Sequence, residues 1–283
     1  MKLLRSRFWF TAIIVLLIVG FTVHVLQIQL RKTRGQNPFQ ELLYLPSGKY
    51  LKVVVLGFDD LVADLLWIRG IQYFGGHFMG DKNYAMLSRI FEVITTLEPD
   101  FVDVYRFAAM ALGEEAHQYK QTEAFLWKGV EKNPKSWEIP FDLGFFLLYT
   151  VKDYDQAVKA YAVATTRPGC PDYVQRIIPF IYSETGRTEI ALTRWQEILD
   201  HAKDSMTREI ADRNIKLIYL KAELKVMREA LLAYKKKQGK FPPSLYNLVA
   251  EGFLKAIPKE PYGSTFFYDP KTGWVRSVYR PEY

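Results

Sequence analysis

Asp60 and Asp64 lie four residues apart, so any helix that carries them presents both carboxylates on one face. Arg69 follows five residues later, and His77 comes directly after the pair Gly75-Gly76. Paired carboxylates can serve as general acid and base or hold a metal ion. The same residues have a plainer reading. Asp60 would cap a helix, Asp64 would pair with Arg69 or nearby backbone, and His77 would be a loop residue at the helix end without the HExxH-type companion of a zinc site. The plainer reading is preferred, and an enzyme built on Asp60 and Asp64 is kept as the lesser alternative. No catalytic, cofactor-binding or metal-ligating residue is expected. Cys170 is the only cysteine, which excludes an intramolecular disulfide. It lies between Gly169 and Pro171 with no His/Asn context and is expected to be inert.

The element carrying the aspartates is expected to be a helix from about Asp60 to Phe74, paired with a second from Asn83 to Leu97. Behind them runs a ladder. Leu87, Thr122, Ala157 and Ala191 recur at steps of 35, 35 and 34, and Phe91, Leu126, Tyr161 and Trp195 repeat those steps four residues on. A small site lets two helices approach and a bulky one fills the gap beside it, so these are packing rungs. The period, with Leu143-Gly144 and then Asp153-Tyr154-x-x-Ala157-x-x-x-Tyr161, resembles the tetratricopeptide repeat over residues 68–200. The match has one extra residue before Ala157, and Pro179 is expected to kink the first helix of the fourth repeat. The resemblance implies a helical solenoid whose first helices line a peptide-binding groove. Carried onto this sequence, the outward positions of that groove are Glu114, Asp142, Phe146, Tyr149, Tyr173 and Arg176. Packing of Phe146 and Tyr149 against the tail is the open alternative.

Charge divides unevenly. Residues 1–40 carry +6, residues 201–283 carry +7, and the middle is acidic at −6, against a net charge of +7. An acidic repeat body with no basic-aromatic module argues against nucleic acid as a partner. Phe8 to Leu26 holds 19 residues without Asp, Glu, Lys or Arg, about what a helix needs to cross a ~30 Å hydrocarbon core. It reads as an uncleaved anchor in preference to a signal peptide. Three basic residues stand on each side, so charge leaves the orientation open.

Four parts follow from this reading: an anchor over 1–30, a linker over 31–58 with a hairpin of Leu42–Leu45 and Tyr50–Val55, repeats over 59–204, and a tail over 205–283. The tail starts with a helix from Met206 to Lys237, whose apolar seam would cap the solenoid in its first half. A short helix over Ser244–Glu251 and a hairpin of Thr265–Tyr268 with Trp274–Ser277 follow. The fold class is mostly α, with a small α+β tail. Ala230, Leu231, Tyr234, Gly239, Pro242, Leu245, Leu248, Leu254, Pro258, Pro261, Gly263 and Tyr268 carry a pattern that resembles the soluble domain of the type II secretion major pseudopilin. The family's N-terminal assembly segment and acidic calcium loop are missing. The resemblance implies a bacterial inner-membrane protein with its N-terminus inside and its bulk in the periplasm. The expected function is a non-enzymatic scaffold for protein partners, pilin-like or secretion-system subunits among them. A dedicated assembly component of a secretion or pilus-like machine is the alternative.

Overall fold

The computed structural model describes residues 18–26 and 45–280. Residues 18–26 are helical, whereas Phe8–Leu17 of the expected anchor and Leu42–Tyr44 of the expected hairpin lie outside the described residues. No helix among the described residues is long and apolar enough to cross a membrane. The described chain is mostly helical and ends in one two-stranded antiparallel sheet. It divides into two compact units, residues 1–125 and 126–283.

In unit 1 the described chain resumes after residues 18–26 with α1 (Gly48–Val54), where the sequence predicts a strand. Pro46-Ser47-Gly48 is a helix start and not a hairpin turn, because the Ser47 side chain accepts from the Tyr50 N–H at 3.3 Å as an N-cap. Gly48 is buried against Thr96, and Arg89 holds the Leu45 carbonyl with two N–H groups at 3.0 and 3.2 Å. Helix α2 (Asp59–Phe78) runs through Gly75-Gly76 and pairs with α3 (Leu87–Leu97). Helix α4 (Val102–Ala108) continues as a π-helical segment, Ala109–Glu115, before α5 (Tyr119–Lys132), within which the boundary between the two units falls along the chain.

In unit 2, α6 (Glu138–Phe145) likewise continues as a π segment, Phe146–Val151, and pairs with α7 (Tyr154–Thr165). A 3₁₀ turn, Val174–Arg176, leads into α8 (Ile177–Glu184), which pairs with α9 (Thr188–His201). Pro179 therefore does not kink a helix. It sits in the first turn of α8, where its missing N–H costs nothing, because the helix starts late.

All eight rungs are buried, none more than 2% exposed. The Thr122 hydroxyl is satisfied by the Gln118 carbonyl at 3.0 Å, so a polar side chain fits the small rung. The backbone keeps the same count. Lys82, His117, Lys152 and Gly186 all have positive φ, at 57°, 55°, 65° and 75°, and stand at the ladder's steps of 35, 35 and 34. Each follows the first helix of its pair and reverses the chain into the second. The π segments fit one additional residue ahead of that reversal, which accounts for the extra residue before Ala157.

Only the last of these left-handed positions is glycine. A side chain there costs roughly 1–2 kcal/mol, part of which glycine returns through its larger unfolded-state entropy. Lys152 is exposed. Lys152→Gly is accordingly expected to stabilise unit 2 by about 0.5–1 kcal/mol, read as a raised urea midpoint at unchanged slope.

Helix α10 (Ser205–Gln238) serves two cores. Its first half packs Ala211 and Ile218 against Ala191, Trp195 and Ile198, closing the last pair as a cap. Its second half packs Leu220, Leu224, Met227, Leu231 and Tyr234 against α11 (Leu245–Ala250) and Val275 of the hairpin. The hairpin joins β1 (Phe266–Asp269) to β2 (Trp274–Ser277), with Phe266 opposite Ser277. Glu260 is buried and fully used: one carboxylate oxygen accepts from the Tyr262 and Ser264 N–H groups at 2.8 and 2.9 Å, and the other from the Ser277 hydroxyl at 2.8 Å.

Candidate functional site: an aromatic cleft in unit 2

The residues that opened the sequence reading do not converge. Asp60 and Asp64 are exposed on α2, and His77 lies thirteen residues beyond Asp64 on the same helix, about 20 Å along its axis. His77 is not a loop residue. It is buried within α2, its Nδ1 bonded to the Asp81 carboxylate and its ring 4.3 Å from that of Tyr73. The His77 hydrogen bond, followed by the Asn83 N–H, holds the Asp81 carboxyl below its usual range. Tyr73 donates to the Asn83 carbonyl at 2.9 Å, so this network fastens the α2–α3 connection. Asp60 is also not the cap. The N-cap position falls on Phe58, which offers no side-chain acceptor. Among the described residues no group of three His, Cys, Asp or Glu side chains is placed to hold a metal ion. Burial first, then the charges of Asp172 and Glu138, push the Cys170 thiol up, away from the reactive thiolate.

A different place in unit 2 gathers chemistry. Phe141, Phe145 and Tyr149 stand at i, i+4 and i+8 along α6 and its π segment and form one wall. Arg176 and Phe180, again four apart, form the second, and Arg213 and Asn214 of α10 the third. The bulky rungs Tyr161 and Trp195 make the floor of this cleft of about 470 Å³. The rings contact one another: Phe145 and Tyr149 at 4.6 Å between centroids, Phe141 and Tyr161 edge-on at 5.7 Å, Phe141 and Tyr173 perpendicular at 6.2 Å. Phe145, Tyr149 and Phe180 nevertheless remain 44–58% exposed.

The cleft is rich in donors. Among the described residues the Trp195 indole N–H has no hydrogen-bond partner, and it is closed to solvent beneath the cleft, so it is a cost of packing there and not an open contact. Neither Arg176 nor Arg213 forms an ion pair among the described residues. Burial, followed by the charges of Tyr149, Asp142 and Tyr173, raises the Tyr161 hydroxyl far above the ordinary phenol range. A second cleft between α7, α8 and α9, about 550 Å³, differs in this respect. There Arg194 is paired with Glu197 at 2.8 Å and His201 Nδ1 meets the Glu197 carbonyl at 2.8 Å.

The sequence-derived groove positions distribute as follows. Tyr149 and Arg176 line the cleft. Tyr173 is exposed at its edge beside Phe141, and Asp142 is half-buried near Tyr161. Phe146 is a correction: at 1% exposure it belongs to the core and is not a groove residue. Glu114 is exposed on the π segment of unit 1. Phe141, Phe145, Phe180, Trp195, Arg213 and Asn214 were not foreseen. The i, i+4, i+8 run of Phe141, Phe145 and Tyr149 was the available signal. Taking Asp142 and Phe146 instead placed the first two positions one residue off.

Comparison with known proteins gives helical structures and no family. No protein-family model matches the sequence, and no curated protein does. Among solved structures, MamA of AMB-1 is similar at 23% identity, over 51% of this chain and 76% of that one, with a TM-score of 0.36. The Naa15/Naa10 structure bound to HypK-THB is similar at 18% identity over 67% of this chain, with a TM-score of 0.38. Yeast Tom70 is similar at 15% over 74%, with a TM-score of 0.31. The chain spans 29% and 48% of the latter two.

Proposed function

We propose that the chain is a non-enzymatic scaffold that holds a protein partner by seating an apolar, acceptor-bearing segment in the unit 2 cleft. The supporting observation is the cleft's lining, in which Arg176 and Arg213, without ion pairs among the described residues, stand beside a wall of exposed rings. Aromatic faces suit apolar side chains, and the donors suit backbone carbonyls or a carboxylate. The segment over Phe8–Leu26 supports a membrane-anchored reading, and the pseudopilin-like tail supports a periplasmic one at the bacterial inner membrane. The test is a photocrosslinking residue at position 149 in the full chain in intact membranes. A discrete protein adduct that disappears with Arg176→Glu/Arg213→Glu supports the reading, and an adduct indifferent to the double charge reversal overturns it.

A second reading is an assembly component of a type II secretion or pilus-like system. It draws on the fact that Ala230, Leu231, Tyr234, Leu245 and Leu248, which carry the pseudopilin resemblance, are the residues that build the tail's own core. A crosslinker at Tyr246, 75% exposed on α11, would then recover a pilin-type subunit.

A further inference from the structure

Unit 1 exposes apolar residues in a continuous run. At the α1–α2 corner Leu56 is 84% exposed and held at a φ of 52°, with Val53 and Phe58 at 74% and 65% beside it. The run continues along α2 as Leu61, Leu65 and Ile68, each at least half exposed and separated by steps of four and three. That alternation makes a narrow stripe on one helix face, the geometry that receives another helix. At the far end of the stripe, a Cβ added at Gly75 would meet nothing within 4 Å, so the surface there is open.

The stripe has a charged edge. Asp60 and Asp64 run along one side of it, one turn apart and exposed. Glu98 and Asp100, just past the end of α3, belong to the same cluster. Burial first, then the charges of Asp60, Asp64 and Asp100, raise the Glu98 carboxyl above its ordinary range. Four carboxylates beside an apolar stripe make a lipid surface a poor occupant, since anionic headgroups would be repelled. They make a cationic helix a good one, since a rim of one sign selects and steers a partner of the other.

We propose that this face seats an amphipathic helix of a partner protein, its apolar residues against Leu61, Leu65 and Ile68 and its Lys or Arg residues against the Asp60/Asp64 edge. The face belongs to unit 1 and is independent of the unit 2 cleft. The cleft offers cationic donors, whereas this face offers carboxylates, so the two would take segments of different chemistry.

The test uses the full chain in phosphatidylcholine nanodiscs and two synthetic helical peptides. Both carry leucines at alternating three- and four-residue steps, one with lysines on the flanks and the other with glutamates at the same places. The lysine peptide is expected to bind more tightly. Asp60→Lys/Asp64→Lys should weaken it roughly tenfold and strengthen the glutamate peptide, while Leu65→Gln weakens both. All three residues are exposed, so the variants should fold, which far-UV circular dichroism checks. An unchanged preference between the peptides in the charge-reversed chain overturns the proposal. So does self-association of the wild-type chain lost with the same substitutions, or quenching of a probe at position 65 by nitroxide lipids. Those results assign the face to a second copy or to the bilayer.

Discussion

Phe91→Ala is expected to destabilise unit 1 by about 3–5 kcal/mol, while Phe58→Ala should stay within about 0.5 kcal/mol. The residue type is the same and both lie in unit 1, so the contrast isolates packing. Phe91 is fully buried, and its ring sits 6.3 Å from Trp67, 5.9 Å from Phe107 and 6.3 Å from Phe125. Truncation removes those contacts and leaves a cavity walled by rings on rigid helices, which cannot collapse to fill it. Phe58 is 65% exposed at the α1–α2 corner and leaves nothing behind. Thr122→Ala provides a second contrast at a rung that is equally buried. It removes one hydroxyl whose hydrogen bond is to its own helix, and alanine is the better helix former, so the loss should not exceed about 1 kcal/mol. Urea denaturation of each variant, with two transitions fitted if the units unfold separately, measures all three.

The ladder could be read in the sequence because a packing site has only one way to be satisfied. Leu87, Phe91 and their counterparts must be small or bulky in register, and chain spacing records that. The end of the chain was legible for a related reason. Asp269-Pro270-Lys271-Thr272-Gly273 is turn chemistry between two aromatic runs, and the hairpin forms with its strands within one residue of the expected bounds. The π segments were not legible. A wide turn changes hydrogen bonding without changing residue type, so only the misplaced count before Ala157 hinted at it. The α1 error has the same root. Ser47 can open a helix or a turn, and the choice is made by Thr96 and Arg89, more than forty residues away.

Two of the sequence-derived groove positions fall on the cleft's lining, and the rest of that lining was not legible. Tyr149 and Arg176 could be placed because exposed aromatic and charged residues on a first helix have few structural duties. Phe146 was misplaced because the apolar run Phe145-Phe146-Leu147-Leu148 does not say which member turns outward, and the local helix geometry decides it. Trp195 was assigned a packing role and holds it at 2% exposure. Its unpartnered N–H is a property of its neighbours, and no spacing of residues along the chain records an empty hydrogen-bond position. Arg213 comes from the long helix, where the seam pattern attends to the buried side alone.

Gly273→Ala is expected to destabilise the tail by about 2–4 kcal/mol, a large effect for one methyl group. Two costs add. Gly273 closes the β1–β2 turn at a φ of 74°, which a side chain makes unfavourable by roughly 1–2 kcal/mol. A Cβ there would also stand 2.3 Å from the Phe241 ring, so either the ring or the turn must move. The turn resists. Asp269 accepts from the Lys271 N–H at 3.0 Å and from the Thr272 hydroxyl at 2.6 Å, and its carbonyl accepts from the Gly273 N–H at 2.8 Å. The ring resists too, since Phe241 packs on the tail core and carries Lys235 Nζ 4.3 Å from its centroid. A double-mutant cycle separates the two costs. Phe241→Leu removes the facing ring atoms and should recover about half of the loss caused by Gly273→Ala, leaving the backbone share in place. Full recovery would mean that the left-handed conformation costs nothing at this turn. No recovery would mean that the ring was never in the way.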